Sequence, residues 1–167
     1  APMLEALAAA TILSTKWNKF GAFVNPMCGS GTLAIEAALI ATKRAPGLFR
    51  NNYAFMHIIG YDKKVYEQER TIIEEQVRHL PNLVIIASDM SREAIKVAKI
   101  NASVAGVEDL IDFQVCDFEA TKMPEPEEGA ILMINPEYGD RLGEEVELEA
   151  TYARLGDYMK NNCKGMT

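Results

Sequence analysis

The 167-residue chain carries 17 Lys+Arg against 24 Asp+Glu, a formal net charge of -7, with 49% hydrophobic and 25% charged residues. Those proportions exclude a disordered chain and suit one globular domain with a sizeable core. No run of about 18 apolar residues occurs, which excludes a spanning helix in this sequence. The opening APMLEALAAATIL has no charged n-region and no cleavage pattern, so it does not read as a signal peptide. Cys28, Cys116 and Cys163 are far apart, odd in number and form no CxxC pair. That predicts free thiols in a reducing cytoplasm and no metal site.

Charge is distributed unevenly. Residues 1–50 hold Lys16, Lys19, Lys43, Arg44 and Arg50 against Glu5 and Glu36, a net of +3. Residues 117–149 hold eleven acids and two bases, a net of -9. An acidic domain has little electrostatic means of holding nucleic acid alone. If it does so, the first third is expected to carry the contact, with another module supplying most of the affinity; otherwise both stretches are solvated surface.

In chain order, residues 3–15 place Leu4, Leu7, Ala8, Thr11 and Ile12 along one helical face. The run AFV after Gly21 predicts a buried strand. NPMCGSGT then leads into TLAIEAALIATK, a helix apolar almost all round. Residues 44–60 read as an irregular, partly packed connection. Asp62 to Leu80 has helical spacing through Val65, Ile72, Ile73 and Val77, and Pro81 stops it. LVIIASD (83–89) predicts a second strand. SREAIKVAKINASVAG predicts a helix capped by Ser91, with Ile95, Ala98, Ala102 and Ala105 inward and Gly106 as its stop. DFQVCD (112–117) and AILMINP (130–136) predict the third and fourth strands, separated by an acidic loop. Residues 144–163 predict a closing helix with Leu148, Tyr152, Leu155 and Met159 inward. The alternation calls for an α/β fold: a doubly wound parallel sheet with helices on both faces.

Three elements carry the chemistry. The first is the glycine loop with Gly29, Ser30 and Gly31, whose backbone and helix N-terminus suit close approach of a ligand. A turn without a ligand uses glycine equally well. No Gly-Lys-Ser/Thr follows, so it is not a nucleotide P-loop, and Ile35 and Glu36 stand where a third glycine of a dinucleotide fingerprint is sought. The second element is a pair of acids ending strands two and three. Asp89 is placed to accept from ribose hydroxyls, or to cap the next helix; Asp117 is placed to accept from an adenine amine, or to be solvated. The third is NPEY (135–138). Asn135 and Pro136 set an amide oxygen and a carbonyl oxygen at one rigid bend, both able to accept from one amine, and Tyr138 offers a flat face for a base.

NPMCGSGT and NPEYGDRLG, with APGLFR (45–50), YAF (53–55) and INASVAG (100–106), resemble the class I methyltransferase domain of THUMP-linked ribosomal RNA methylases over essentially the whole chain. Enzymes of that family methylate guanine N2 in large-subunit RNA and were long labelled N6-adenine-specific DNA methylases. The resemblance implies S-adenosylmethionine as cofactor. It implies that Asn25, Pro26, Met27, Cys28, Gly29, Gly31 and Thr32 lie at the methionine end, Asp89 and Met90 at the ribose, and Asp117 and Phe118 at the adenine. Asn135, Pro136 and Tyr138 would face the target base. Asn25 replaces the family's usual Asp, and Glu137 replaces the second proline of Asn-Pro-Pro-Tyr. Residues 1–167 are expected to be a partial methyltransferase domain lacking the THUMP module and the last strands. Ribosomal RNA is the expected partner, and ILMI (131–134) an exposed sheet edge open to self-association. An adenine-N6 DNA methyltransferase, an inactive cofactor- or RNA-binding module and an NAD-binding domain are the competing readings. The last has no use for Asn-Pro-Glu-Tyr.

Overall fold

Four short segments pair as parallel strands, β1 (Phe23–Pro26), β2 (Ile85–Asp89), β3 (Asp112–Val115) and β4 (Ile131–Leu132), in the spatial order β3-β2-β1-β4. They belong to a computed structural model that describes residues 3–125, 128–136, 145–163 and 166 of the chain. Helices α1 (Glu5–Ser14), α2 (Thr32–Thr42), α3 (Lys63–Glu75), α4 (Arg92–Val104) and α5 (Glu145–Asn162) accompany the sheet.

Successive strand residues face opposite sides of a sheet, and the two faces have separate cores. Phe23, Ile85, Ala87 and Ile131 pack with side chains of α1, α2 and α4. Leu132 and Ile134 pack instead with Phe118 and with Leu155 and Tyr158 of α5. The architecture is the doubly wound α/β fold that the alternation of segments predicts. Helix α2 lies deepest: nine of its eleven residues are buried, which explains an apolar sequence without a polar face.

Local expectations fail where packing overrides periodicity. In α1 only Ala8 and Ile12 are buried, while Leu4 and Leu7 are exposed. Helix α3 stops at Glu75 rather than Leu80, and none of its residues is buried; Val65, Ile72 and Ile73 face solvent because no described element covers them. In α5 the inward pair is Leu155 with Tyr158, whereas Tyr152 and Met159 are exposed. The 44–60 connection contains two 3-10 turns, Pro46–Phe49 and Ala54–His57. Strands β2, β3 and β4 are shorter than expected, at five, four and two residues.

Candidate active site

In a parallel sheet of this kind, loops at the carboxyl ends of the strands form the crevice where ligands bind. The glycine loop leaves β1 at Pro26 and enters α2 at Thr32. Its path is set by backbone pairing: Cys28 N–H donates to the Ser88 carbonyl at 2.9 Å, and Gly31 N–H to the Cys28 carbonyl at 2.9 Å. Met27, Gly29 and Gly31 all have positive φ, at 54°, 55° and 83°. The two glycines differ in why they must be glycine. A Cβ on Gly31 would lie 2.9 Å from the Ala98 Cβ of α4, so its absence lets α2 and α4 approach. A Cβ on Gly29 would meet nothing within 4 Å; the loop is open on that side. No side chain caps the N-terminus of α2.

Asp89 sits directly beside this opening. Its Oδ2 accepts from Gly29 N–H and its Oδ1 from Ser91 N–H, both at 2.9 Å. It is therefore not the cap of α4; that role belongs to Ser91, whose Oγ accepts from Ala94 N–H. Each carboxylate oxygen keeps a second lone pair, so Asp89 retains acceptor capacity towards the crevice. Met90 follows it with an exposed side chain. Cys28 is buried, and its burial, followed by the nearby Asp89 carboxylate, pushes the thiol up to about 12. A thiol of that kind is inert at neutral pH.

Asp117 stands at the end of β3, next to Cys116, whose N–H donates to the Asp89 carbonyl. Its Oδ1 accepts from Glu119 N–H and, at 2.8 Å, from the Arg154 guanidinium of α5. Burial alone would raise its pKa, but the Glu119 N–H and then Arg154 outweigh burial and hold the carboxyl below its ordinary value. Phe118, which follows Asp117, has its ring in the second core. It meets Tyr158 edge-on, with the Arg154 guanidinium over its face at 4.8 Å.

Asn25 is almost wholly buried, and its Nδ2 donates to the Met133 carbonyl at 2.9 Å, linking β1 to β4. Its Oδ1 is buried with no partner. Pro26 is fully buried beside it, and Thr32 exchanges a hydrogen bond with Ser30 Oγ. Asn135 and Pro136, half-buried, follow two and three residues beyond Met133, on the segment that this bridge ties to the end of β1. Tyr138 and Glu137 lie outside the described residues. Sequence reading missed two residues. Asn101 of α4 donates to the Ser30 carbonyl at 3.0 Å and braces the loop from below, although INASVAG had drawn notice as a motif. Arg154 has no local signature at all.

A four-stranded parallel sheet with an open glycine loop after β1, an acid at the ends of β2 and β3 and an Asn-Pro pair after β4 defines a class I methyltransferase-type domain. The RMKL-like methyltransferase domain family matches residues 1–167, and the chain belongs to that family. A ribosomal RNA large subunit methyltransferase K/L of Aliivibrio salmonicida (strain LFI1238) is 38% identical over 170 residues, covering 100% of this chain and 24% of the relative. A second protein of that name, from Syntrophotalea carbinolica, is 40% identical over 99% of this chain. The chain thus spans about a quarter of the length of the curated relatives it matches. Among solved structures, the candidate methyltransferase SMU.472, complexed with SAH, superposes with a TM-score of 0.87 at 31% identity, over 95% of this chain and 41% of that one.

Proposed function

We propose that this domain transfers a methyl group from S-adenosylmethionine to an exocyclic nucleobase amine of large-subunit ribosomal RNA, guanine N2 being the preferred atom. The observation that carries the reading is the Asn25–Met133 bridge, which ties the segment leading to Asn135-Pro136 to the strand from which the Asp89-held glycine loop leaves. The names of the relatives and the SAH of SMU.472 support both the substrate class and the cofactor.

The residues present fit that cofactor. Gly29 leaves room for close backbone approach, Asp89 keeps acceptor capacity for ribose hydroxyls, and the unpartnered Asn25 Oδ1 is an acceptor for an ammonium group. When bound, the cofactor supplies an electrophilic methyl group on a sulfonium. An exocyclic amine is a poor nucleophile because its lone pair is delocalised into the ring. The Asn135 amide oxygen and the Pro136 carbonyl would accept its two N–H groups and favour the sp3 nitrogen that develops as the nitrogen takes the methyl group from sulfur. The proton then lost from the alkylated nitrogen would pass to solvent water. Fixed alignment of the reacting atoms supplies much of the remaining acceleration. A paired base is out of reach, so the target is extruded or unpaired, with Tyr138 stacking upon it. The cytoplasm, where ribosomal RNA matures in bacteria, is the proposed setting.

The deciding experiment offers tritiated S-adenosylmethionine with unmodified large-subunit RNA, and separately with duplex DNA, at saturating nucleic acid. Label recovered as N2-methylguanosine is expected. Label only in DNA would establish the adenine-N6 reading, and cofactor binding without transfer to either would establish an inactive module.

A further inference from the structure

APGLFR and YAF take no part in the site described above, yet the structure builds them into one unit. Because α2 begins at the carboxyl edge of the sheet, its C-terminus lies at the opposite edge, about 16 Å away for an eleven-residue helix. The 43–62 connection starts there, and Arg44 anchors it by donating to the carbonyl of Gly106, beyond the far end of α4. Arg70 of α3 then pins the first turn and the residue that ends it: its guanidinium donates to the carbonyls of Leu48 and Arg50 at 3.0 and 3.2 Å. Tyr53 OH donates to the Gly47 carbonyl at 2.6 Å.

This scaffold holds aromatic rings in series. Tyr53 and Phe55 stack at 5.2 Å, 15° from parallel, and Phe55 meets Tyr61 and Tyr66 in tilted contacts. The Arg50 guanidinium lies 4.9 Å from the Tyr53 ring centroid, on its face. Phe49, Phe55 and Arg50 are exposed. The connection itself is locally basic. Residues 43–64 hold Lys43, Arg44, Arg50, Lys63 and Lys64 against Asp62 alone, within a chain of net charge -7, while Glu67, Glu69, Glu74 and Glu75 follow further along α3. Lys63 is partly spent on Glu67, at 3.3 Å.

We infer that this basic and aromatic face, at the end of the sheet opposite the methyl-transfer edge, is a second contact surface for unpaired RNA. Exposed rings and a stacked guanidinium accept bases of any sequence through their faces, while Lys43, Lys64 and Arg50 meet the phosphates. It grips the strand away from the target nucleotide, and so offsets the chain's net charge of -7. The inference rests on the RNA reading proposed above. A purely apolar partner surface would not need the five basic groups.

The test measures anisotropy of a fluorescein-labelled oligo(U) ribonucleotide with the 167-residue chain at low ionic strength, alongside calorimetric SAH binding. The double variant Arg50→Gln/Phe55→Leu should lose about tenfold in RNA affinity, with SAH affinity intact. Lys64→Gln, which alters no ring, should lose a few-fold and flatten the salt dependence. Lys160→Gln, on α5, should change nothing. Unchanged RNA affinity in the double variant and in Lys64→Gln, or no binding by the parent chain, would overturn the inference, and in the former case leave the surface to a protein partner. Loss in both variants with no SAH binding by the parent would sustain this surface while sinking the proposed methyl transfer.

Discussion

The Gly29 N–H donates to Asp89 Oδ2 at 2.9 Å, so the carboxylate expected to read a ribose also ties the glycine loop to β2. One residue thereby sets both the shape of the cofactor crevice and its chemistry. Asp89→Ala should weaken S-adenosylmethionine binding by about 1–3 kcal/mol, the range for charge-assisted hydrogen bonds. Asp89→Asn, which keeps one acceptor oxygen, should lose less. Titration calorimetry on both checks the order, and equal affinities would remove Asp89 from the site.

The two loop glycines should separate stability from binding. Gly31→Ala combines a left-handed backbone at φ 83° with a 2.9 Å approach to Ala98 Cβ, and should cost about 2–4 kcal/mol in urea unfolding. Gly29→Ala has free space, so it should cost only about 1–2 kcal/mol. Its Cβ occupies the side open to ligand, and the larger effect should appear in cofactor affinity. Equal losses of affinity relative to stability in the two variants would contradict this division.

Asn135→Ala should lower kcat about a hundredfold while leaving cofactor affinity nearly unchanged, since the amide acts on the reacting nitrogen rather than on the cofactor. Steady-state kinetics on unmodified ribosomal RNA measures it. Unchanged turnover would remove the acceptor pair from the mechanism.

Glu36 is a buried acid on α2, and desolvation, followed by the charge of Glu5, raises its pKa above the ordinary value. The folded state therefore binds a proton more readily than the unfolded chain. Stability falls as pH rises from the unfolded pKa through the raised folded one, and the penalty persists at neutral pH. Glu36→Gln should unfold at a higher urea concentration than the parent at pH 7, with the difference vanishing below about pH 4. A constant difference across that range would place the effect elsewhere.

Among the described residues no strand pairs with the outer edge of β4, and Leu132, Met133 and Ile134 are only half-buried there. Such an edge invites pairing with a second chain. The 167-residue chain is expected to self-associate with rising concentration in light scattering, and Met133→Lys to reduce it. A monodisperse parent across the concentration range would show that the edge is adequately covered.

The sequence alone determined those features whose signals are local. The buried helix α2, the glycine loop, the Ser91 cap and the parallel strands each occupy a short contiguous stretch, where periodicity and backbone preference act between near neighbours. It also placed Asp89, Asp117 and Asn135 at one edge, because strand ends of a parallel sheet share that edge. Tertiary structure decided what those residues touch. Arg154 reaches Asp117 across 37 positions, Asn101 holds the Ser30 carbonyl across 71, and Asn25 bridges to Met133 across 108. It likewise decided that the apolar residues of α3 remain exposed while similar residues of α4 are buried. Periodicity marks a face able to pack, but which neighbour covers it depends on contacts between segments remote in the chain.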